Sequence, residues 1–263
     1  MQKRHTDREL YFREQIYTTQ TYVIPYISRF VAITPQTRVL EIGCGEGGNL
    51  TPFLDKGCEC VGVDLMEWKI ELGNKIFSDH PNHEKVKLIY EDIYNLTSQD
   101  IGLFDLVFLR DTIEHIPNQR RFMGVLKQFL KPEGRIFFAF PPWPMPFGGH
   151  QQTCRTRLAS SIPFYHLLPM FLYTGMLKWF GENPRTIEGL KQIKETGIWI
   201  EQFKRYARES GYRVVYETCY FINPNYQIKF GLKPRKLVVL DKIPYVRDFF
   251  TTVYYCMLSV ENG

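Results

Sequence analysis

The chain has 263 residues, 44% apolar and 23% charged, which excludes global disorder and collagen-like repetition and suits one large domain or one domain with a sizeable insertion. Its 33 basic and 28 acidic side chains leave a net charge of +5, compatible with an anionic ligand but too weak to indicate nucleic acid. The less usual figure is the 15% of aromatic residues, more rings than a core alone is expected to absorb, so some are free to line a pocket or a lid.

The opening residues MQKRHTDREL lead into a polar helix-like segment and lack the apolar core of a signal peptide. Arg38–Ile42, Cys60–Asp64, Val86–Tyr90, Phe104–Leu109 and Arg135–Phe140 then follow as short, nearly continuous apolar runs, the pattern of strands buried on both faces of a parallel sheet. Crossover helices separate them. The clearest spans 118–130, with Asn118 as N-cap, an apolar face of Phe122, Val125, Leu126, Phe129 and Leu130, and a turn at Pro132-Glu133-Gly134.

The regularity stops at Pro141. Residues 143–198 open with the Pro- and Gly-rich PPWPMPFGGHQQ (141–152) and carry the apolar run Ile162–Leu177. That run is too short for a membrane span, holds Pro163, His166 and Pro169, and reads as a buried helix pair or a lid; contact with lipid at a surface stays open. A helix at Trp199–Ser210 and strands at Tyr212–Phe221 and Thr252–Val260 complete the pattern, while KLVVLD (236–241) could add another strand.

The expected fold is α/β: a doubly wound, Rossmann-like, seven-stranded, mostly parallel sheet with helices on both faces and an antiparallel last strand. One domain over 1–263 would divide into an N-terminal helical cap (1–36), a cofactor-binding core (37–142), a lid or specificity insertion (143–198) and the C-terminal part of the sheet (199–263). The six cysteines, at 44, 58, 60, 154, 219 and 256, form no zinc framework and establish no disulfide. A reducing cytoplasm is the expected location.

The sharpest signal is VLEIGCGEGGNL (39–50), where Gly43, Gly45 and Gly47 follow the first strand and let backbone approach a ligand where a Cβ would clash. Asp64 ends the second strand, 21 positions after Gly43, where a carboxylate can take both hydroxyls of a ribose. Glu41, just before the loop, faces a pyrophosphate awkwardly and suits a ligand carrying ammonium and sulfonium charges. Glu91, Asp92 and Ile93 end the third strand; Asp92 suits the exocyclic amine of adenine, and Ile93 with Leu65 the ring face.

These motifs, with FDLVFLRDTIEHI (104–116) and LKPEGRIFFAF (130–140), resemble the cofactor-binding half of the class I S-adenosylmethionine-dependent methyltransferases, closely over residues 36–142 and in outline over the last 65. The resemblance implies S-adenosyl-L-methionine as cofactor. It implies a site of Glu41, Gly43, Cys44, Gly45, Gly47, Asn49, Asp64, Leu65, Glu91, Asp92, Ile93 and Arg110. It also implies that 11–30 covers the cofactor, with Arg13, Tyr17 and Tyr22 toward the substrate; a helix packed on the sheet is the alternative.

An SN2 methyl transfer needs an acceptor held in line, and a hydroxyl or protonated amine also needs a base. Candidates are Asp111 and His115 after the fourth strand and His150 in the loop after the fifth, beside Trp143, Phe147 and Gln151. The PPW after strand five differs from the Asn-Pro-Pro-aromatic motif that follows strand four in amino-group enzymes, which argues against a DNA base amine. Asp111, Glu114 and His115 can be drawn as metal ligands, but no carboxylate pair of the divalent-metal catechol type is present, so no metal is expected.

Within this reading a small-molecule or glycan-like acceptor leads, oxygen ahead of nitrogen. Residues 143–198 carry 6 basic and 3 acidic side chains, which is no nucleic-acid stripe. A lipid or lipid-linked acceptor stays open because of Ile162–Leu177. The competing readings are a nicotinamide-dependent oxidoreductase and a non-catalytic S-adenosylmethionine-binding protein. Monomer or homodimer is not decided by the sequence.

Overall fold

The computed structural model describes residues 7–261; the first six residues of the expected helical cap and N-terminal segment lie outside this range. The described chain begins with α1 (Arg8–Thr18), which runs through one wide π-helical turn at Thr19–Val23 into α2 (Ile24–Ile27). The α/β core then alternates β1 (Arg38–Ile42), α3 (Thr51–Leu54), β2 (Glu59–Asp64), α4 (Glu67–Phe77), β3 (Val86–Tyr90), α5 (Ser98–Ile101), β4 (Phe104–Arg110), α6 (Gln119–Val125) and β5 (Leu130–Phe140).

Three helices, α7 (Arg157–Ser161), α8 (Met170–Trp179) and α9 (Pro184–Thr196), occupy the segment after β5. The chain closes with α10 (Ile200–Glu209), β6 (Tyr212–Ile222), α11 (Asn225–Phe230), β7 (Arg235–Lys236) and β8 (Val253–Val260). The sheet order is β3-β2-β1-β4-β5-β8-β6-β7. Strands β1 to β5 pair in parallel, and β8 inserts antiparallel between β5 and β6.

Among the described residues the sheet therefore has eight strands rather than seven. The additional one is the two-residue β7, which pairs with β6 at Lys236 and Arg235 on an exposed edge. The expected turn at 132–134 is instead absorbed inside β5, where the register with β4 shifts between Phe104 and Leu106.

Both faces of the sheet are covered, which is why its central strands read as continuous apolar runs. On one face α6 and α10 pack over Leu40, Val107, Phe138 and Tyr254; on the other the N-terminal helices and α4 pack over Val39, Phe108, Phe137 and Tyr255. Tyr26 of α2 anchors the N-terminal segment, its hydroxyl donating to the Tyr255 carbonyl at 3.2 Å and its ring edge-on to Phe137. Helix α10 buries Ile200, Phe203 and Ala207 at helical spacing. Asp248, distant in sequence, accepts from the Ile200 N–H at 2.8 Å and caps the helix.

The segment after β5 has a small core of its own, built on Tyr165, Tyr173, Leu177, Phe180, Ile187 and Leu190. Glu182 ties its start together by accepting from the Arg155 and Thr156 N–H groups. No helix among the described residues is long and apolar enough to cross a membrane.

Phe203 lies within 5.0 Å of the Phe138 and Phe140 ring centres and is fully buried. Phe203→Ala is expected to lower stability by about 3–5 kcal/mol, read as a fall in the urea midpoint, and a change under about 1 kcal/mol would contradict this packing role.

Candidate functional site

The site is built where β1, β2, β4 and β5 end together. Gly43, Gly45 and Gly47 all have left-handed backbone, with φ of 75°, 57° and 84°. A Cβ on Gly43 would fall 2.7 Å from the Thr112 side chain, and one on Gly47 2.6 Å from the Phe77 ring. At Gly45 the nearest atom would be 3.8 Å away, so this residue faces open cleft. Asp64 organises the loop: one carboxylate oxygen accepts from the Gly45 N–H at 2.8 Å and the other from the Met66 N–H at 2.9 Å. A carboxylate has about four acceptor sites, so two backbone donors leave capacity for a ligand's hydroxyls.

Beneath the loop lies a buried polar chain. Asn49 donates to Glu41 at 2.7 Å and accepts from Arg110 at 2.9 Å and from the Thr19 hydroxyl at 2.8 Å. Thr19 reaches this position because the chain takes its wide turn there. Glu41 is fully buried, and its second carboxylate oxygen has no hydrogen-bond partner. Burial pushes its carboxyl up to about 8, against the opposing pull of the Asn49 hydrogen bond and the Arg110 charge.

Two clefts open above this floor. One, of about 730 Å³, is lined by Asp64, Leu65, Asp92, Ile93 and the turn 115–118. The other, of about 340 Å³, is lined by Arg8, Tyr11 and Gln15 of α1, Gly45, Arg110, the loop 145–152 and the segment 223–229. They meet at Gly43, Lys69, Asp111 and His115.

At this junction Asp111 and His150 both hold left-handed backbone, at φ of 52° and 54°, a strained state for residues with side chains. The His115 and His150 rings stand edge-to-face, 5.0 Å between centres. His115 is open to the cleft on one side, yet burial by its surroundings, helped by Lys69, holds its pKa below the usual imidazole value despite the Asp111 charge. Glu114, beside it, is buried with neither carboxylate oxygen hydrogen-bonded. Burial and then the Asp111 charge push its pKa well up.

The structure brings Gly43, Gly45, Asp64, Leu65, Asp92, Ile93, Arg110, Asp111, His115, Phe147 and His150 to the clefts. Gly47 lies behind them against Phe77. Cys44 is buried beside Gly62, and Glu41 with Asn49 supports the loop from below. Glu91 lines the larger cleft, but its side chain accepts from the Asp92 N–H and from Asn95, and Asp92 caps the turn at Ile93–Asn95.

The structure places several substrate residues read from the sequence away from the two clefts. Arg13 lies exposed on the outer face of α1, paired with Glu9. Tyr17 packs on Tyr22, whose hydroxyl bonds Gln227, and neither lines a cleft. The inward face of α1 carries Arg8, Tyr11 and Gln15, a phase that a helix with so few apolar markers did not reveal. Trp143 packs edge-on against the buried His166, and Gln151 bonds the Pro146 carbonyl and His166. Gln152, one residue on, reaches the cleft instead. Lys69, Glu114 and the Asn223–Asn225 turn were missed as lining residues. Of these, Lys69 had a local signal, sitting in the first turn of the helix that follows Asp64, and Glu114 another, beside His115 in the turn after the fourth strand.

The buried Glu41 makes stability depend on pH. The unfolded carboxyl releases its proton near 4.5 and the folded one near 8, so in that window the folded chain binds more protons and its stability falls as pH rises. Glu41→Gln is expected to flatten this decline in urea unfolding compared at roughly pH 5 and pH 8. An unchanged slope would refute the assignment.

Comparison with known proteins places this architecture. The family model described as "Methyltransferase domain" matches residues 13–181, more than half of the chain. Sterol 4-C-methyltransferase strm-1 of Caenorhabditis elegans is 26% identical over 111 residues, covering 42% of this chain and 33% of that protein. The ubiquinone biosynthesis O-methyltransferase of Coxiella burnetii is 30% identical over 119 residues, covering 44% and 48%. The chain thus spans less than half the length of these relatives.

Among solved structures, PKMT2 of Rickettsia typhi in complex with AdoHcy aligns with a TM-score of 0.57 at 20% identity, over 93% of this chain and 54% of that one. An S-adenosylmethionine-dependent methyltransferase of Clostridium acetobutylicum aligns with a TM-score of 0.57 at 11% identity, over 94% and 92%. At such identities the structural likeness speaks for the fold. By the family match, the chain belongs to the methyltransferase-domain family.

Proposed function

We propose that this chain is an S-adenosylmethionine-dependent methyltransferase acting on a hydroxyl oxygen of a lipid-like small molecule. The observation that carries the reading is the meeting of the two clefts at Gly43, Asp111 and His115, with Asp64, Leu65 and Ile93 lining the larger and Gly45, Arg110 and His150 the smaller.

The residues fit the cofactor. Gly45 offers its bare backbone to the cleft, Asp64 retains acceptor capacity for ribose hydroxyls, and Leu65 with Ile93 offers an apolar surface for adenine. Glu41 beneath the loop keeps one carboxyl oxygen without a protein partner. When bound, S-adenosylmethionine supplies an electrophilic methyl group.

Arg8, pairing with Glu46, and Tyr11 close the smaller cleft from above and restrict water there. His115, held neutral by its surroundings, and His150 are placed to orient an acceptor hydroxyl and take its proton. The names of two relatives support a lipid-like acceptor, a sterol 4-C-methyltransferase and an O-methyltransferase of ubiquinone biosynthesis, and the second supports oxygen. It is consistent with the apolar side chains that α8 leaves exposed, Phe171 at 74% and Trp179 at 78%. The segment 143–198 is then the specificity element of the domain.

Incubating the chain with methyl-labelled S-adenosylmethionine and fractionated cell extract is expected to put label in the lipid fraction. Label confined to protein or RNA would overturn the acceptor assignment, and cofactor binding with no label anywhere would point to a non-catalytic binder. Gly45→Arg, forced into left-handed backbone with its side chain in the cleft, is expected to abolish cofactor binding by calorimetry. His150→Ala should lower kcat by about 100-fold with cofactor affinity held within about twofold. Full turnover in that variant would remove His150 from the chemistry.

A further inference from the structure

We propose that Glu114, His115 and His150 form a binding site for a late first-row divalent cation, such as zinc, cobalt or nickel, at the acceptor end of the smaller cleft. The inference rests on the methyltransferase reading for its purpose and on the side-chain geometry for the site itself. Ligand atoms of the three residues all lie within 4.8 Å of one another. With metal–ligand bonds of about 2.1 Å, opposite ligands of one cation stand about 4.2 Å apart, so modest side-chain rotation closes the set.

Sequence spacing offers Glu114 and His115 from one turn; the fold supplies the third ligand from the loop after β5. A second observation points the same way. Glu114 lines the cleft, is only 4% exposed, and has two carboxylate oxygens without a hydrogen-bond donor. Such a group can stay buried as a carboxylate only with a cation beside it, and neither oxygen is taken by a protein donor.

The support for His150 is rigid. Its N–H donates to the Phe147 carbonyl, and its own carbonyl accepts from the N–H and hydroxyl of Thr153 at 2.9 and 2.8 Å. These bonds hold its left-handed backbone, and its ring stands beside His115. Asp111 lines the same cleft, its carboxylate paired with Arg110 at 3.7 Å.

Two imidazoles and a carboxylate favour these metals over magnesium or calcium, which prefer all-oxygen sites, and three protein ligands leave coordination positions open. Those positions face the acceptor cleft. There the cation takes the acceptor hydroxyl as a ligand and lowers its pKa. The O–H bond breaks, the proton passes to solvent, and both bonding electrons remain on the oxygen as the nucleophilic pair; with the cation bound, the two imidazoles serve as its ligands and no longer as the base.

The test is a Co²⁺ titration of the full chain after dialysis against a chelator, followed by visible absorption and calorimetry. One cobalt per chain is expected, with ligand-field bands in the visible. Glu114→Gln, nearly isosteric, and His150→Ala, in the loop, should each weaken binding at least about tenfold with unchanged far-UV circular dichroism. His83→Ala, on the surface away from the cleft, should bind like the parent chain. Absence of stoichiometric cobalt binding, or binding that the two cluster variants leave intact, overturns the site. Full methyl transfer by the chelator-treated chain overturns its role in the reaction. Cobalt bound by the cluster without methyl transfer to any fraction supports the site and counts against the methyltransferase reading instead.

Discussion

The buried hydrogen-bond chain through Asn49 is the constraint on which the rest of this site depends. One amide side chain joins Glu41 on β1, Arg110 on β4 and Thr19 on the N-terminal helical segment, so the glycine loop cannot shift without breaking all three connections. Buried polar networks of this kind are costly when partly satisfied and specify one arrangement when complete. Here the incomplete member is Glu41, whose second oxygen has no protein donor and which lies directly below the loop. Aromatic rings pack in the core on one face of the sheet, Phe108 stacked on Phe137 and edge-on to Phe53.

The strained residues tell the same story from the rim. Asp111 holds left-handed backbone just past the end of β4, at the junction of the two clefts, and His150 does so in the loop after β5, in the smaller one. Asp111 is held by its own N–H, which donates to the Ala139 carbonyl of the neighbouring strand. Sheet pairing thus continues for one residue beyond the strand and turns the side chain toward the junction. This is how a rigid sheet aims groups carried by short loops.

The fold was legible to the extent that burial on both faces forces apolar continuity. Arg38–Ile42 and Val86–Tyr90 have the same limits in sequence and structure, and Asn118 caps the helix it was expected to cap. The two-residue β7 was not, because an exposed edge pairing of Arg235 and Lys236 needs no hydrophobic pattern. The segment 143–198 was readable as irregular but not as a unit with a small core, since that core joins Cys154, Tyr173 and Leu190 across three short helices. The aromatic surplus resolves accordingly: much of it is stacked in the sheet's two cores, and α8 leaves Phe171 and Trp179 outside.

By itself, the sequence determined the glycine loop, Asp64 and the order of strands that carries them. These features depend on residue type at fixed short spacing: a positive φ needs glycine, and a strand end needs its carboxylate. Only the tertiary structure decided which face of α1 lines the cleft, placing Arg8 and Tyr11 there in place of Arg13 and Tyr17. It alone decided that Gln152 rather than Gln151 reaches the cleft, and that His150 meets Glu114 and His115 across 35 positions of chain. The reason is physical: helix phase and loop direction are set by what packs behind them, and side chains far apart in sequence become one chemical group only when a shared sheet edge brings them together.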